Sequence, residues 1–434
     1  MISKIRQPAP MGASRVRWLL IFWMFVVSAI AYLDRVNISI AGQAIAKEFH
    51  LSNVELGGVF SAFVMGYALF QAPGGWLADR IGPRRVLAFG VVWWAVFTSL
   101  ITLLSPNLTG LLAILIGLRF FLGIGEAVVY PASNCVVAAW IPSAERGIAN
   151  GLIFSGVGFG AGITPPLITW FLLNHGWRAS FWASSLLGLM AGGIWYVIAR
   201  DTPAQHPWVS AKEAAFIRSG LPQASSSAQG REKLSWKEIF GNRDLLAITF
   251  SYFSYGYAAY IFFSWFFIYL STVRGLNLKQ SSYYTMLPFL AMAVGSPLGG
   301  WISDMLTRAY GKRVGRCLLA SGAIALSALF IALGTQVESA QLASFVLAGG
   351  AGALYLAQSS FWSVSADIGK ASAGSVSGVM NMGGQLGGAL TASLTPAIAN
   401  RFGWTASFLV ASGLCVAGAL AWLLVRPQRD TQAG

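Results

Sequence analysis

Charge, cysteine and histidine are all scarce in this chain. Only 10% of its 434 residues are Asp, Glu, Lys or Arg, against about 25% in a typical soluble domain. That excludes a water-covered surface of ordinary composition. Cys135, Cys317 and Cys415 are the three cysteines, in or near separate apolar runs. An odd count without ligand spacing excludes a disulfide framework and a cysteine metal site, and fits small core residues. The three histidines, His50, His175 and His206, fall between the apolar runs. With no His-Glu-x-x-His and no paired-aspartate motif, an intramembrane enzyme lacks its equipment, so neither enzyme activity, metal nor cofactor is expected.

Apolar residues are abundant instead, at 56% of the chain. From Trp18 onward they form runs near the ~20 residues that cross a bilayer as a helix. The runs are continuously apolar, whereas barrel strands alternate. The expected fold is an all-α polytopic membrane protein with helices at about 18–40, 57–78, 84–104, 108–130, 147–173, 177–199, 245–271, 281–303, 316–334, 340–362, 374–398 and 404–425. Twelve passes leave both termini on one side. That side holds 22 Lys or Arg and the other five, with two inside helices. The positive-inside rule makes the richer side cytoplasmic. The net charge of +14 is thus a topology signal that also meets anionic membrane lipid, and no nucleic acid is expected. The basic start imitates a signal peptide, but the polar residues just after its apolar run look functional, so helix one is read as an uncleaved anchor. Short tails and compact loops point to a bacterial inner membrane. A monomer suffices for such a bundle.

The chain repeats itself. Gly74-Gly75-Trp76 and Asp79 recur 225 positions later as Gly299-Gly300-Trp301 and Asp304. A shift of 227 carries Gly147, Gly151, Gly156 and Gly160 onto Gly374, Gly378, Gly383 and Gly387, and Gly176-Trp177 onto Gly403-Trp404. The expected organisation is a cytoplasmic tail (1–17), a six-helix half (18–200), a polar cytoplasmic connector (201–243) with a short helix near 211–219, a second six-helix half (244–425) and a cytoplasmic tail (426–434). Parallel halves place a substrate site between them near mid-membrane. Glycine rows let helices approach closely, and such faces are where one half slides on the other. Asp79 lies beside Arg80 and Arg84, and Asp304 beside Arg308, each at the cytoplasmic end of a half's second helix. A carboxylate there can cap a neighbouring helix and pair with arginine, latching the halves together.

GGWLADRIGPRR at 74–85 resembles the loop signature of the major facilitator superfamily. YLDRVNISIA at 32–41, with RFFLGIGEAVVYP at 119–131, resembles its anion:cation symporter family. The similarity runs from the first helix to the twelfth. It implies twelve helices, alternating access, and a small organic anion such as a sugar acid as substrate. It also implies proton coupling through the carboxylates matching Asp34 and Glu126, anion binding by the arginine matching Arg35, and substrate contact at Tyr67.

The residues themselves lead to similar roles. Asp34, Arg35, Arg119 and Glu126 are charged within predicted spans, where a charge costs at least ~2.5–3.5 kcal/mol and usually faces a cavity. Arg119 and Glu126 are two helical turns apart and share a face. Arg35 offers a carboxylate a permanent bidentate charge. Asp34 and Glu126 can exchange burial against a nearby arginine as the protein rocks, and so carry protons. Arg119 is expected to pair with ionised Glu126. Tyr257, Tyr260, Gln358, Ser360, Asn381 and Gln385 are candidates for the substrate's polar groups. No cation is expected mid-membrane in the second half, which favours a monoanion, an aldonate or uronate, over a diacid. The many tyrosines keep an aromatic carboxylate in play. An organic-anion exporter and a non-transporting sensor are the remaining alternatives, and sodium is the competing coupling ion.

Overall fold

The computed structural model describes residues 13–51, 53–221, 234–266 and 269–426. The expected 1–17 tail, 201–243 connector and 426–434 tail lie partly outside these. Every described regular element is helical. The first half comprises α1 (Val16–Phe49), α2 (Asn53–Ile81), α3 (Pro83–Thr102), α4 (Leu111–Glu126) with α5 (Val129–Trp140), α6 (Arg146–Asn174) and α7 (Gly176–Ile198). The connector carries α8 (Ala211–Gly220) and α9 (Trp236–Gly241). The second half comprises α10 (Arg243–Ser264), α11 (Leu278–Tyr310), α12 (Leu319–Gln336), α13 (Ala340–Leu356) with α14 (Gln358–Gly369), α15 (Ala373–Phe402) and α16 (Trp404–Leu424).

Ten described stretches are long and apolar enough to cross a membrane. One of them, Ala340–Thr391, has 52 residues and holds two passes. With α2, whose glycines and polar residues lower its hydropathy, the passes number twelve. Two predicted helices differ from expectation. The fourth and tenth passes are each interrupted, after Glu126 and after Leu356, and continue deeper towards the termini side. Pro131 accounts for the first break, because it has no N–H for the carbonyl of Ala127. The sequence gives no matching proline in the tenth. A π-helical turn, Arg313–Leu318, opens the ninth pass, and another, Tyr269–Val273, follows α10.

Glycine decides where the halves meet. A Cβ on Gly75 would lie 2.0 Å from the carbonyl oxygen of Gly374, and one on Gly300 2.1 Å from that of Gly147. So α2 runs against α15, and α6 against α11, backbone to backbone. Each glycine row divides its work. Gly147 and Gly151 face α11 in the opposite half, while Gly156 and Gly160 face Phe25–Ala29 of α1 in their own half. Gly374 and Gly378 face α2, while Gly383 and Gly387 face α10. The 227-residue repeat is thus a repeat of contacts.

Candidate functional site

Between the halves lies a small cavity lined by residues of both. Tyr32, Tyr67 and Tyr130 line it from the first half, and Tyr252, Tyr255, Tyr260 and Tyr355 from the second, with Phe154 and Phe263. Gln358, Asn381 and Gln385 add amides. The tyrosines of α10 line it at 252, 255 and 260 because those positions share a helical face. Several hydroxyls are already committed. Tyr260 donates to Gln385 Oε1 at 2.7 Å, and Gln358 Nε2 donates to Tyr252 at 3.0 Å. Asn381 donates across the interface to Gln71 Oε1 of α2 at 2.7 Å.

The charged residues stand beside this cavity, behind the rings of Tyr32 and Tyr67. Arg35 Nη2 donates to Glu126 Oε2 at 3.0 Å. Its guanidinium lies over the rings of Tyr67 at 4.3 Å, Tyr32 at 4.7 Å and Phe63 at 5.1 Å. Aromatic faces favour a cation there without consuming its N–H groups. Glu126 is 1% exposed, and its second oxygen has no hydrogen bond among the described residues. Nε of Arg35 and of Arg119 is likewise uncommitted. Buried polar atoms are normally satisfied, so this cluster holds unused capacity. Asp34, 3% exposed, accepts a hydrogen bond from Thr98 Oγ1 at 3.1 Å.

Three expectations need correction. Arg119 forms no ion pair with Glu126 among the described residues; Arg35 holds that place. Arg119 instead lies 4.7 Å over Phe63, with Asp34 the charge that acts on it most strongly and Glu126 next. Tyr257 does not line the cavity. It is 200° around α10 from Tyr255 and faces α15, where Thr391 donates to its carbonyl. Ser360, likewise two residues past Gln358, is buried away from the cavity. Tyr32, Tyr130 and Tyr355 were overlooked, although Tyr130 is one turn beyond Glu126 and Tyr32 one turn before Arg35.

On the side of the termini the two aspartates grip opposite halves. Asp79 accepts from the backbone N–H of Gly374 at 2.9 Å and Ser375 at 2.8 Å, at the start of α15. Asp304 accepts from Gly147 at 2.8 Å and Ile148 at 2.7 Å, at the start of α6. The arginines were assigned less well. Arg80 lies over Trp76, and Arg84 donates to the Tyr196 carbonyl, both within their own half. Arg308 does cross, to the Ala144 carbonyl, but the ion partner of Asp304 is Arg316 at 3.2 Å. The π turn places Arg316 there. A further bridge joins the halves where Arg146 and Lys312 share Asp367. The connector is tied to the first half: Arg17 pairs with Glu213 of α8 at 3.0 Å and with Glu145 at 3.1 Å.

Two pseudo-symmetric six-helix halves with a cavity between them are the architecture of a membrane transporter. The chain belongs to the Major Facilitator Superfamily, whose profile matches residues 24–392. It is 35% identical over 419 residues to a probable sulfoacetate transporter of Cupriavidus necator, covering 95% of this chain and 94% of that protein. It is 33% identical over 300 residues to a probable galactarate/D-glucarate transporter of Bacillus subtilis, covering 68% of this chain and 66% of that protein. These relatives are consistent with an anion:cation symporter type of family. The fold matches the solved structure of a proton:xylose symporter bound to 6-bromo-6-deoxy-D-glucose, with a TM-score of 0.72 at 17% identity over 95% of this chain and 98% of that one.

Proposed function

We propose that this protein imports a small organic anion, most fittingly a sugar-acid monoanion such as an aldonate or uronate, together with protons. The observation that carries the reading is the Arg35–Glu126 ion pair at 3.0 Å beside the tyrosine-lined cavity. A proton arriving on Glu126 removes the charge that holds Arg35. The guanidinium is then free to take the substrate carboxylate in bidentate fashion. Substrate and proton therefore bind together, and the state in which ionised Glu126 and the substrate anion both claim Arg35 is disfavoured. Tyrosine hydroxyls and the amides of Gln358, Asn381 and Gln385 meet the substrate's hydroxyls. Inward movement of an anion is opposed by about 2.3 kcal/mol per charge per 100 mV, and each co-transported proton offsets that.

The two relatives described above are named for anions with two acidic groups. No Lys or Arg of the second half lines the cavity here among the described residues, so a second carboxylate would lack a strong partner. That supports a monoanion. The ring-rich lining supports an aromatic monocarboxylate as the second reading. We place the protein in a bacterial inner membrane as a monomer with cytoplasmic termini, as its charge asymmetry indicates. The test is uptake of labelled aldonates, uronates, glucarate, sulfoacetate and benzoates into proteoliposomes, with and without an inward proton gradient. Accumulation driven by the gradient and abolished in Asp34→Asn or Glu126→Gln is expected. Uptake indifferent to the gradient would send the coupling to sodium or to exchange.

A further inference from the structure

We infer that protons reach Asp34 by a route of their own, inside the first half between α1, α3 and α7, and not through the substrate cavity. The inference rests on the proton-coupling reading above and assigns the path. Glu126 sits at the cavity wall through Arg35, but Asp34 turns the other way, onto Thr98 of α3. From there buried polar side chains continue towards the surface opposite the termini. Ser99, next to Thr98, shares a hydrogen bond of 2.7 Å with Ser185 of α7. Ser184, next to Ser185, accepts from Asn37 Nδ2 at 3.0 Å. Ser180, one turn on, has Asn37 Oδ1 at 2.9 Å and the Trp177 carbonyl at 2.7 Å as alternative acceptors for its one hydroxyl proton. Trp177 Nε1 in turn donates to Glu48 at 2.7 Å, and the Glu48 side chain is 35% exposed.

Asn37, Thr98 and Ser180 are 0% exposed, and none lines the substrate cavity. The string runs in steps of one residue or one helical turn, about 5.4 Å. A bridging water can span such a step between polar groups. The proton passes along the hydroxyls and the waters that bridge them, each accepting one proton and releasing another, while the Trp177 carbonyl and indole N–H only fix the outer end of the string; Asp34 alone changes charge. Asn37 does not relay; it holds Ser180 and Ser184 in line and is a positioning residue. The charges facing Asp34 are Arg119 and Glu126 from α4 and Arg35 from α1; α3 and α7 present hydroxyls along the string until Trp177 and Arg178 of α7 meet Glu48 at its outer end. Separate access explains why two carboxylates serve one transporter: Glu126 reads the substrate, and Asp34 reads the outside.

The experiment needs no substrate. Full-length protein in nanodiscs is given a pH jump, and the protonated-carboxyl infrared band absent from Asp34→Asn is followed in time. In Asn37→Leu, and in the Ser180→Ala/Ser184→Ala double variant, the band is expected to change about tenfold more slowly or worse, a barrier rise of ~1.4 kcal/mol. Its equilibrium midpoint should not move, and Asn37→Ser should restore the rate. Unchanged rates in both blocked variants overturn the route. So does a midpoint that shifts with the rate and is not rescued by Asn37→Ser, since that marks packing alone. Uptake indifferent to a proton gradient, with a fast Asp34 band slowed by the variants, would overturn the transport reading and leave the route standing.

Discussion

Asp79 and Asp304 occupy the same place in the two halves, and each binds two backbone N–H groups at a helix start in the half opposite. The arrangement uses the unpaired donors and positive end of a helix N-terminus. It is symmetric in sequence, 225 residues apart, and it closes the face that carries the termini. Opening that face requires both grips to release.

Hydrogen bonds to a charged group contribute about 1.5–3 kcal/mol each, so losing the charge at one grip shifts the closed-to-open balance by about tenfold or more. Cys135 reports that balance. It lies under the other grip, 9% exposed, with its Sγ donating to Asp79 at 3.2 Å. In a Cys317→Ala/Cys415→Ala background, Asp304→Asn is expected to raise maleimide labelling of Cys135 about tenfold. Asp304 is remote from the thiol, so an unchanged labelling rate would remove the latch role.

Closure also depends on bare backbone. A methyl at Gly75 would meet the carbonyl of Gly374 at 2.0 Å, a backbone atom that cannot swing aside. Gly75→Ala is expected to abolish uptake while membrane insertion and detergent extraction stay normal, and to leave Cys135 open to labelling. Wild-type uptake in this variant would show that α2 and α15 separate more easily than their contact implies.

Much of this was written in the sequence, for reasons that differ by residue. The twelve passes follow from apolar run length, and the glycine rows mark faces where backbones touch, though which helices they join, α2 with α15 and α6 with α11, is a tertiary fact. Asp79 and Asp304 stood out because duplication marked them. Partner choice was less legible. Arg119 and Glu126 share a helical face, yet Glu126 binds Arg35, because the approach of α1 to α4 is a tertiary fact with no local signal. Arg316 escaped notice because a π turn shifts its direction by one residue, and no spacing rule foresees that turn. Tyr257 and Ser360 were avoidable misses: helical period alone puts each on the face away from Tyr255 and Gln358.

At the opposite end of the first half, Arg178 Nη1 meets both oxygens of Glu48, at 2.7 and 2.8 Å, and Trp177 donates at 2.7 Å. Burial of the Glu48 carboxyl opposes its charge, but the bonds from Trp177 and Arg178 and the arginine's charge outweigh it and hold the carboxyl below its ordinary value of 4.5. A folded-state value below the unfolded one adds stability above the unfolded value, and that stability is lost as pH falls through the folded one. With the side chains about a third exposed, solvent screening keeps the contribution below about 1 kcal/mol. Glu48→Gln should therefore melt about 1–2 °C lower than wild type at pH 7 in detergent, and the gap should shrink as pH falls below the ordinary value of 4.5 and through the lowered one. A gap that persists unchanged at low pH would show that shape, not charge, holds this corner.

Glu126→Gln gives the sharpest test of the coupling geometry. On the proposed mechanism ionised Glu126 competes with the substrate for Arg35, so anion binding should weaken as pH rises and the carboxylate recaptures the guanidinium. Glutamine keeps the side chain's shape and cannot ionise. Arg35 then stays over Tyr32, Tyr67 and Phe63 with its N–H groups available at every pH. For whichever anion the uptake panel selects, calorimetry should show affinity in Glu126→Gln at pH 8 equal to that of the wild type at low pH. Gradient-driven accumulation should fail in the same variant, because the proton has no carrier beside the substrate. Arg35→Lys should bind at least about tenfold more weakly at any pH, since an ammonium cannot meet a carboxylate with two parallel bonds. If Glu126→Gln instead keeps the wild-type pH dependence of binding, the competition for Arg35 is not what links proton to substrate, and Asp34 must carry the coupling alone.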